Sequence, residues 1–142
     1  MKTSWLTYAL MTVAFSGVYG VILHLGRGAM PGTPPNPTLE GAHAGLKAFL
    51  FVCVAYAMIG VIAGFVLKGR GSNLSFTTSG ISISLVAGMV GAAGALTLVL
   101  ALGAAGQAGV GALAATAVMP IVFGGAPVIN SIVSMLLHPP SK

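Results

Sequence analysis

Four long apolar runs dominate the chain, and the polar residues collect between them. The runs cover about residues 4–26, 44–67, 80–105 and 110–137. Each is long enough to cross a hydrocarbon core about 30 Å thick as a helix, which takes roughly 20 residues. Their apolar positions are continuous rather than alternating, and four strands cannot close a barrel in lipid. The pattern therefore predicts an all-α polytopic membrane protein, with four transmembrane helices in a single integral membrane domain over 1–142.

Composition excludes a water-soluble globule. Of the 142 residues, 56% are hydrophobic and only 5% are charged, whereas soluble domains carry about 25% charged residues. Glu40 is the only acid, and the mean hydropathy is +1.01. The six Lys and Arg residues stand singly and form no basic patch, so no nucleic-acid partner is predicted. The predicted surroundings are a lipid bilayer.

Lys and Arg residues near the ends of the spans predict the orientation, because cytoplasmic loops carry an excess of them. Four lie on one side (Lys2, Lys68, Arg70 and Lys142) and two on the other (Arg27 and Lys47). We therefore expect both termini in the cytoplasm, in a bacterial cytoplasmic (inner) membrane. A difference this small also fits insertion in both directions, so single and dual orientation both stay open.

Small residues recur along one face of the third span. They are Gly80, Ser84, Gly88, Gly91 and Ala92. Because lipid is as apolar as a protein interior, membrane helices associate where small residues let their backbones approach closely. This face is therefore expected to be the main packing surface, either within the chain or as the seam of a dimer. The bulkier stretch around Leu98 is expected to face lipid.

Hydroxyl groups follow one face of the first span. Tyr8, Thr12, Ser16 and Tyr19 recur at steps of four, four and three. Hydroxyls gain nothing by facing lipid, so the stripe is expected to line the protein interior or a wet substrate path. The alternative is that each hydroxyl bonds to a carbonyl of its own helix.

The fourth span contains residues that interrupt helices. Pro120, Gly124, Gly125 and Pro127 predict a kink or a break, because each proline removes a backbone donor and clashes with the preceding turn. Broken helices expose backbone carbonyls at the binding sites of many transporters, and Asn130 follows as a further polar candidate. The alternative is a kinked helix that ends in an interfacial segment at Leu137.

The first loop contains Pro31, Pro34, Pro35 and Pro37, which favour an extended conformation. The stretch from Arg27 to His43 is therefore predicted to be non-helical and to lie outside the membrane. It would serve as a cap or a partner contact.

Residues typical of catalysis are missing. The chain has no Asp, no paired acids and no cluster of metal ligands, so neither an enzyme nor a metal site is predicted. No cofactor is expected, although a lone histidine near a helix end can ligate a haem or a chlorophyll. Such ligation by His24, His43 or His138 stays open.

The chain resembles the drug/metabolite transporter superfamily, as a half-size protein like a four-helix small multidrug resistance subunit. The resemblance rests on a first helix rich in Gly and aromatic residues from Trp5 to Gly20, the tract from Gly94 to Gly103, and the proline-bearing stretch from Met119 to Asn130. It covers most of the chain and implies a dimer, often antiparallel, that exports small molecules. Small multidrug exporters carry a membrane-embedded glutamate in the first helix, and this chain has none there.

Two functions follow from these patterns. The first is a small transporter-like protein for a small neutral or polar solute, acting as a dimer and using the hydroxyl stripe. The second is a non-catalytic accessory subunit packed in a larger membrane complex, which could contain pigments or haems.

Overall fold

The structure is a computed structural model that describes residues 4–30, 39–110 and 113–138. These residues contain four α-helices: α1 (Ser4–Gly28), α2 (Leu39–Gly69), α3 (Thr78–Ala105) and α4 (Ala114–Leu137). All four are long and apolar enough to cross a membrane. The prediction of an all-α chain with four spans is confirmed, and we describe the chain as an integral membrane protein.

The helices extend beyond the apolar runs that predicted them. α1 continues to Gly28, and α2 begins at Leu39 and therefore includes Glu40 and His43. The prediction that residues up to His43 are non-helical is wrong at this end, because no proline follows Pro37 and a helix does not have to stop where hydrophobicity does. The four prolines of the predicted loop fall within 31–38, outside the described residues.

The turn between α2 and α3 is held by local hydrogen bonds. The N–H of Ser72 donates to the carbonyl of Leu67 (3.2 Å) and that of Gly71 to Lys68 (3.0 Å), with Gly71 at φ 70°. This is a Schellman cap, in which glycine takes the left-handed conformation. The N–H of Gly80 donates to the Thr77 hydroxyl at 3.2 Å, which caps the start of α3.

The chain divides into two compact units. The first comprises Met1–Ala29 and Ala101–Lys142, and the second comprises Met30–Leu100. The first unit thus holds α1, the end of α3 and α4, while the second holds α2 and the rest of α3. A single domain over 1–142 stays a prediction.

Within the first unit, α1 and α4 pack against each other in opposite directions. Gly20 lies against the side chain of Met119. Further along α1, the Arg27 guanidinium lies 3.5 Å from where a Cβ on Gly106 would stand. The partner residues run backward as α1 runs forward, so the pair is antiparallel. Leu23 and Ala114 are buried in this unit.

A kinked turn follows α3 before α4 begins. It covers Gly106–Val110, and Gly109 has a φ of 85°, which is strained for residues other than glycine. This turn lies where the predicted third and fourth spans, about 80–105 and 110–137, are separated.

α4 passes through both prolines as one helix of 24 residues. The helix is therefore not broken at the prolines, and a kink there stays a prediction, although the prolines still remove two backbone donors. In a regular helix those N–H groups would bond to the carbonyls of Thr116 and Phe123, four residues earlier. Both carbonyls consequently lack their usual helical partner.

The small-residue face of α3 is exposed in the part of the chain that the structure describes, and its role as a packing surface stays a prediction. Gly88 and Gly91 have no atom within 4 Å of the position that a Cβ would occupy, and Gly80, Ser84 and Ala92 are exposed. The C-terminal part of α3 is buried instead, with Leu98 only 5% exposed and Val99 2%. The expectation that Leu98 faces lipid is wrong. The dimer seam stays a prediction.

Candidate functional site

A groove of about 440 Å³ lies between α1 and α4, within the first unit. One wall is a turn and a half of α1, with Thr12, Val13, Ser16 and Gly17. The other wall is the proline-bearing part of α4, with Met119, Pro120, Phe123 and Pro127. Four residues predicted from the sequence, two hydroxyls and two prolines, therefore meet at one site.

The groove exists because α1 and α4 approach each other closely at Gly20 and less closely at Gly17, one turn earlier on α1. At the close end, the Met119 sulfur and methyl group occupy the space that a side chain on Gly20 would need. Gly20 is buried, whereas no atom lies within 4 Å of a Cβ built on Gly17, one turn earlier. Met119 therefore closes the end of the groove.

The hydroxyl of Thr12 is already used as a donor. It donates to the carbonyl of Tyr8 in the preceding turn at 2.9 Å. This bond fits the local alternative that we considered for the stripe. A hydroxyl oxygen keeps its acceptor capacity when its proton is donated, so Thr12 can still accept a hydrogen bond in the groove.

Ser16 differs from Thr12, although both line the groove. The Ser16 hydroxyl makes no hydrogen bond within the described residues, and the side chain is half-buried. A serine hydroxyl both donates and accepts. Among the residues that line the groove, Ser16 is the side chain that can offer a proton to a ligand.

The prolines add acceptors to the other wall. A proline ring lies against the carbonyl four residues back, so the carbonyls of Thr116 and Phe123, which lack that helical N–H, lie on the proline side of α4. Of these two residues, Phe123 lines the groove. An unpaired carbonyl in a water-free setting costs free energy unless a partner is found. The site thus combines an uncharged, mostly apolar lining with several acceptors.

The remaining predicted polar residues lie outside the groove lining. Tyr8 is 67% exposed, Asn130 is exposed and Tyr19 is partly buried. Of the flexible pair between the prolines, Gly124 is exposed and Gly125 is half-buried. The hydroxyl stripe is therefore divided, and only its middle belongs to the groove.

The three histidines do not come together in the part of the chain that can be described. His24 lies at the Met119 end of the α1–α4 pair, and His138 follows α4 at the other end. His43 belongs to α2 in the second unit. The described residues contain no group of three side chains that could hold a metal ion.

A second depression, of about 580 Å³, lies in the second unit at the start of α3. Its lining includes Ser75, Thr77, Gly80 and Ser84. Thr77 already caps the helix here, so this depression is explained by the turn that enters α3.

Four lining residues were not predicted as site residues: Val13, Gly17, Met119 and Phe123. Their spacing from the predicted residues could have indicated three of them. Phe123 lies three residues after Pro120 and four before Pro127, so it shares their face. Gly17 and Val13 follow the predicted hydroxyls directly. Nothing in the sequence indicated that Met119 would meet Gly20.

Comparison with protein-family models, with curated proteins and with solved structures finds no match to this chain. What the fold and the site define is the class: an integral membrane protein with four candidate spans and a groove between α1 and α4.

Proposed function

We propose that the chain is a small transporter-like membrane protein for a small neutral or polar solute, and that the α1–α4 groove is its solute site. The observation that carries the proposal is the meeting of Thr12 and Ser16 with the two prolines of α4 at one groove. Hydroxyls and unpaired carbonyls within membrane-spanning helices are typical of substrate paths, since lipid offers them no partner.

The solute is neutral because the groove holds no charge to pair with an ion. None of the eight lining residues is ionisable. A charged solute would lose its hydration without an opposite charge to replace it, and that loss is expensive in a low dielectric. Coupling to protons through a membrane-embedded acid, as in small multidrug exporters, is not part of this proposal.

The functional form is proposed to be a homodimer in a bacterial inner membrane, with both termini in the cytoplasm. The open face of α3 supports the oligomer, because Gly88 and Gly91 offer close approach and no described atom lies within 4 Å of a Cβ built on either. The charge difference between the loops supports the orientation.

The second candidate is a non-catalytic accessory subunit of a larger membrane complex. The same open face of α3 supports it, as does α2, whose apolar side chains are largely uncovered from Phe51 to Val66. Uncovered apolar side chains are equally suited to lipid, so this observation weighs less than the groove.

Reconstituted vesicles test the first candidate against the second. We expect vesicles that contain the purified chain to swell faster than empty vesicles when a neutral solute such as glycerol or acetamide enters, as followed by stopped-flow light scattering. Gly17→Leu fills the groove from a position with open space around it and should return the rate to that of empty vesicles.

Gly64→Leu is the matched control, since Gly64 also has open space but belongs to α2 and does not line the groove. It should swell like the unmodified chain. Equal rates for Gly17→Leu and the unmodified chain would contradict the groove as the path. Purification only as part of a larger assembly, with no swelling activity for any solute, would favour the accessory subunit.

A further inference from the structure

We propose that the solute of the α1–α4 groove is a hydrogen-bond donor: a neutral molecule with an apolar body and a hydroxyl or primary amide group. This inference rests on the proposed function and deepens it, because it names the chemical class that the groove selects. It follows from which hydrogen-bonding groups of the groove are already used and which are free.

The free groups of the groove are mainly acceptors. Thr12 donates its proton to the carbonyl of Tyr8, so toward the groove it presents lone pairs only. Phe123 also lines the groove, and its carbonyl has no N–H four residues further on, since Pro127 takes the position of that donor. The Thr12 oxygen and the Phe123 carbonyl are therefore the acceptors that a ligand in the groove can use.

Donors are scarce in the same place. Backbone N–H groups of α1 and α4 are used within the helices, and the prolines have none. Among the lining side chains, only the Ser16 hydroxyl can donate without giving up a bond that it already makes. A ligand that only accepts hydrogen bonds would compete for the Ser16 hydroxyl and would offer no donor to the Phe123 carbonyl.

The rest of the lining selects an apolar body. Val13, Met119, Phe123 and the two proline rings offer carbon and sulfur surface, and the volume of about 440 Å³ lies within the ~300–1,000 Å³ of typical small-molecule sites. A lipid acyl chain would fit the apolar surface but would satisfy none of the acceptors. A hydroxylated ring compound satisfies both.

A matched pair of probes tests the inference. 4-Phenylcyclohexanol and 4-phenylcyclohexanone have the same number of non-hydrogen atoms, but only the alcohol donates. We expect the alcohol to bind the full chain in nanodiscs about five- to tenfold more tightly than the ketone, as one net hydrogen bond implies. Binding is measured by saturation-transfer NMR titration, with empty nanodiscs subtracted.

Substitutions at the acceptors localise the effect. Pro127→Ala returns an N–H that pairs with the Phe123 carbonyl, so alcohol affinity should fall toward that of the ketone while ketone affinity stays the same. Thr12→Val should also weaken alcohol binding. Its control is Thr97→Val, because Thr97 makes the equivalent bond to Gly94 at 2.9 Å on α3, outside the groove. Ser16→Ala should weaken the ketone more than the alcohol.

Two results would overturn the inference: equal affinities for the two probes, or neither probe binding while a co-purified lipid tail fills the groove. The swelling experiments test transport independently of these binding measurements, so the proposed function and the inference can fail separately. Donor-selective binding without transport would contradict the transporter and leave the inference intact. Transport at the same rate for solutes with and without a hydrogen-bond donor would support the transporter and contradict the inference.

Discussion

Contact between Gly20 and Met119 determines how closely α1 approaches α4, and Gly20→Ala tests it. The added methyl group would lie where the Met119 sulfur and terminal methyl now lie, and 3.0 Å from Met119 Cγ. Overpacking of this kind costs about 1–3 kcal/mol. The Met119 side chain is flexible and can yield, so we expect the lower half of that range, about 1–2 kcal/mol.

Gly17→Ala provides the reference. Alanine in place of glycine within a helix gains roughly 0.5–1 kcal/mol from reduced backbone entropy, and both variants share that gain. A Cβ at Gly17 meets nothing within 4 Å. The difference in the free energy of unfolding between the two variants is therefore the cost of the contact with Met119.

Steric trapping in bicelles measures the free energy of unfolding for each variant. Combining Gly20→Ala with Met119→Ala completes a double-mutant cycle, in which the penalty at Gly20 should disappear and the coupling energy should be about 1–2 kcal/mol. Equal stability of Gly20→Ala and Gly17→Ala, or zero coupling with Met119→Ala, would refute the close approach of α1 and α4.

Three further expectations concern α3, α2 and the two chain termini. Leu98→Ala should lower the free energy of unfolding by at least ~1 kcal/mol through the cavity that it leaves. Gly88→Leu should leave the free energy of unfolding of the single chain unchanged and, if α3 forms a dimer seam, should change only the size on gel filtration. The opposite ranking of the two variants would show that the glycine face of α3 is the interior. Cys53, the chain's only cysteine and exposed on α2, should not react with a charged maleimide in intact membranes and should react after SDS denaturation. As a control, Ser72→Cys in a Cys53→Ser background should react in both conditions. Rapid labelling of Cys53 in intact membranes would place α2 in water. Cysteines introduced at Lys2 and Lys142 should show the same accessibility to an impermeant reagent, and opposite sidedness within one orientation would contradict four spans.

Two features of the turn between α2 and α3 have causes that lie within the turn itself. The turn after α2 follows from Gly71, which takes a φ of 70° at low cost, and the start of α3 follows from the Thr77 cap. Helix ends outside the membrane were less readable. α2 begins at Leu39 rather than near Ala44, because the interface with water ends an apolar run without ending a helix.

The candidate site was half predicted. Thr12 and Ser16 on one span, and Pro120 and Pro127 on another, were each selected for their chemistry, but no pattern said that they would face each other. Tyr8 and Asn130 were selected by the same reasoning and lie outside the groove. Residue type therefore indicated what could serve a polar site, and the packing of α1 on α4 decided which of those residues share it.

The amino-acid sequence by itself determined the number of spans and the membrane as their solvent, since a run of apolar residues long enough to cross lipid must satisfy its backbone within its own helix. Only the tertiary structure decided which faces meet. In water, hydrophobicity marks the buried face of a helix, but in lipid the outside and the inside are equally apolar. The open face at Gly88, the burial of Leu98 and the fit of Met119 against Gly20 depend on shape, which hydropathy along a chain does not record.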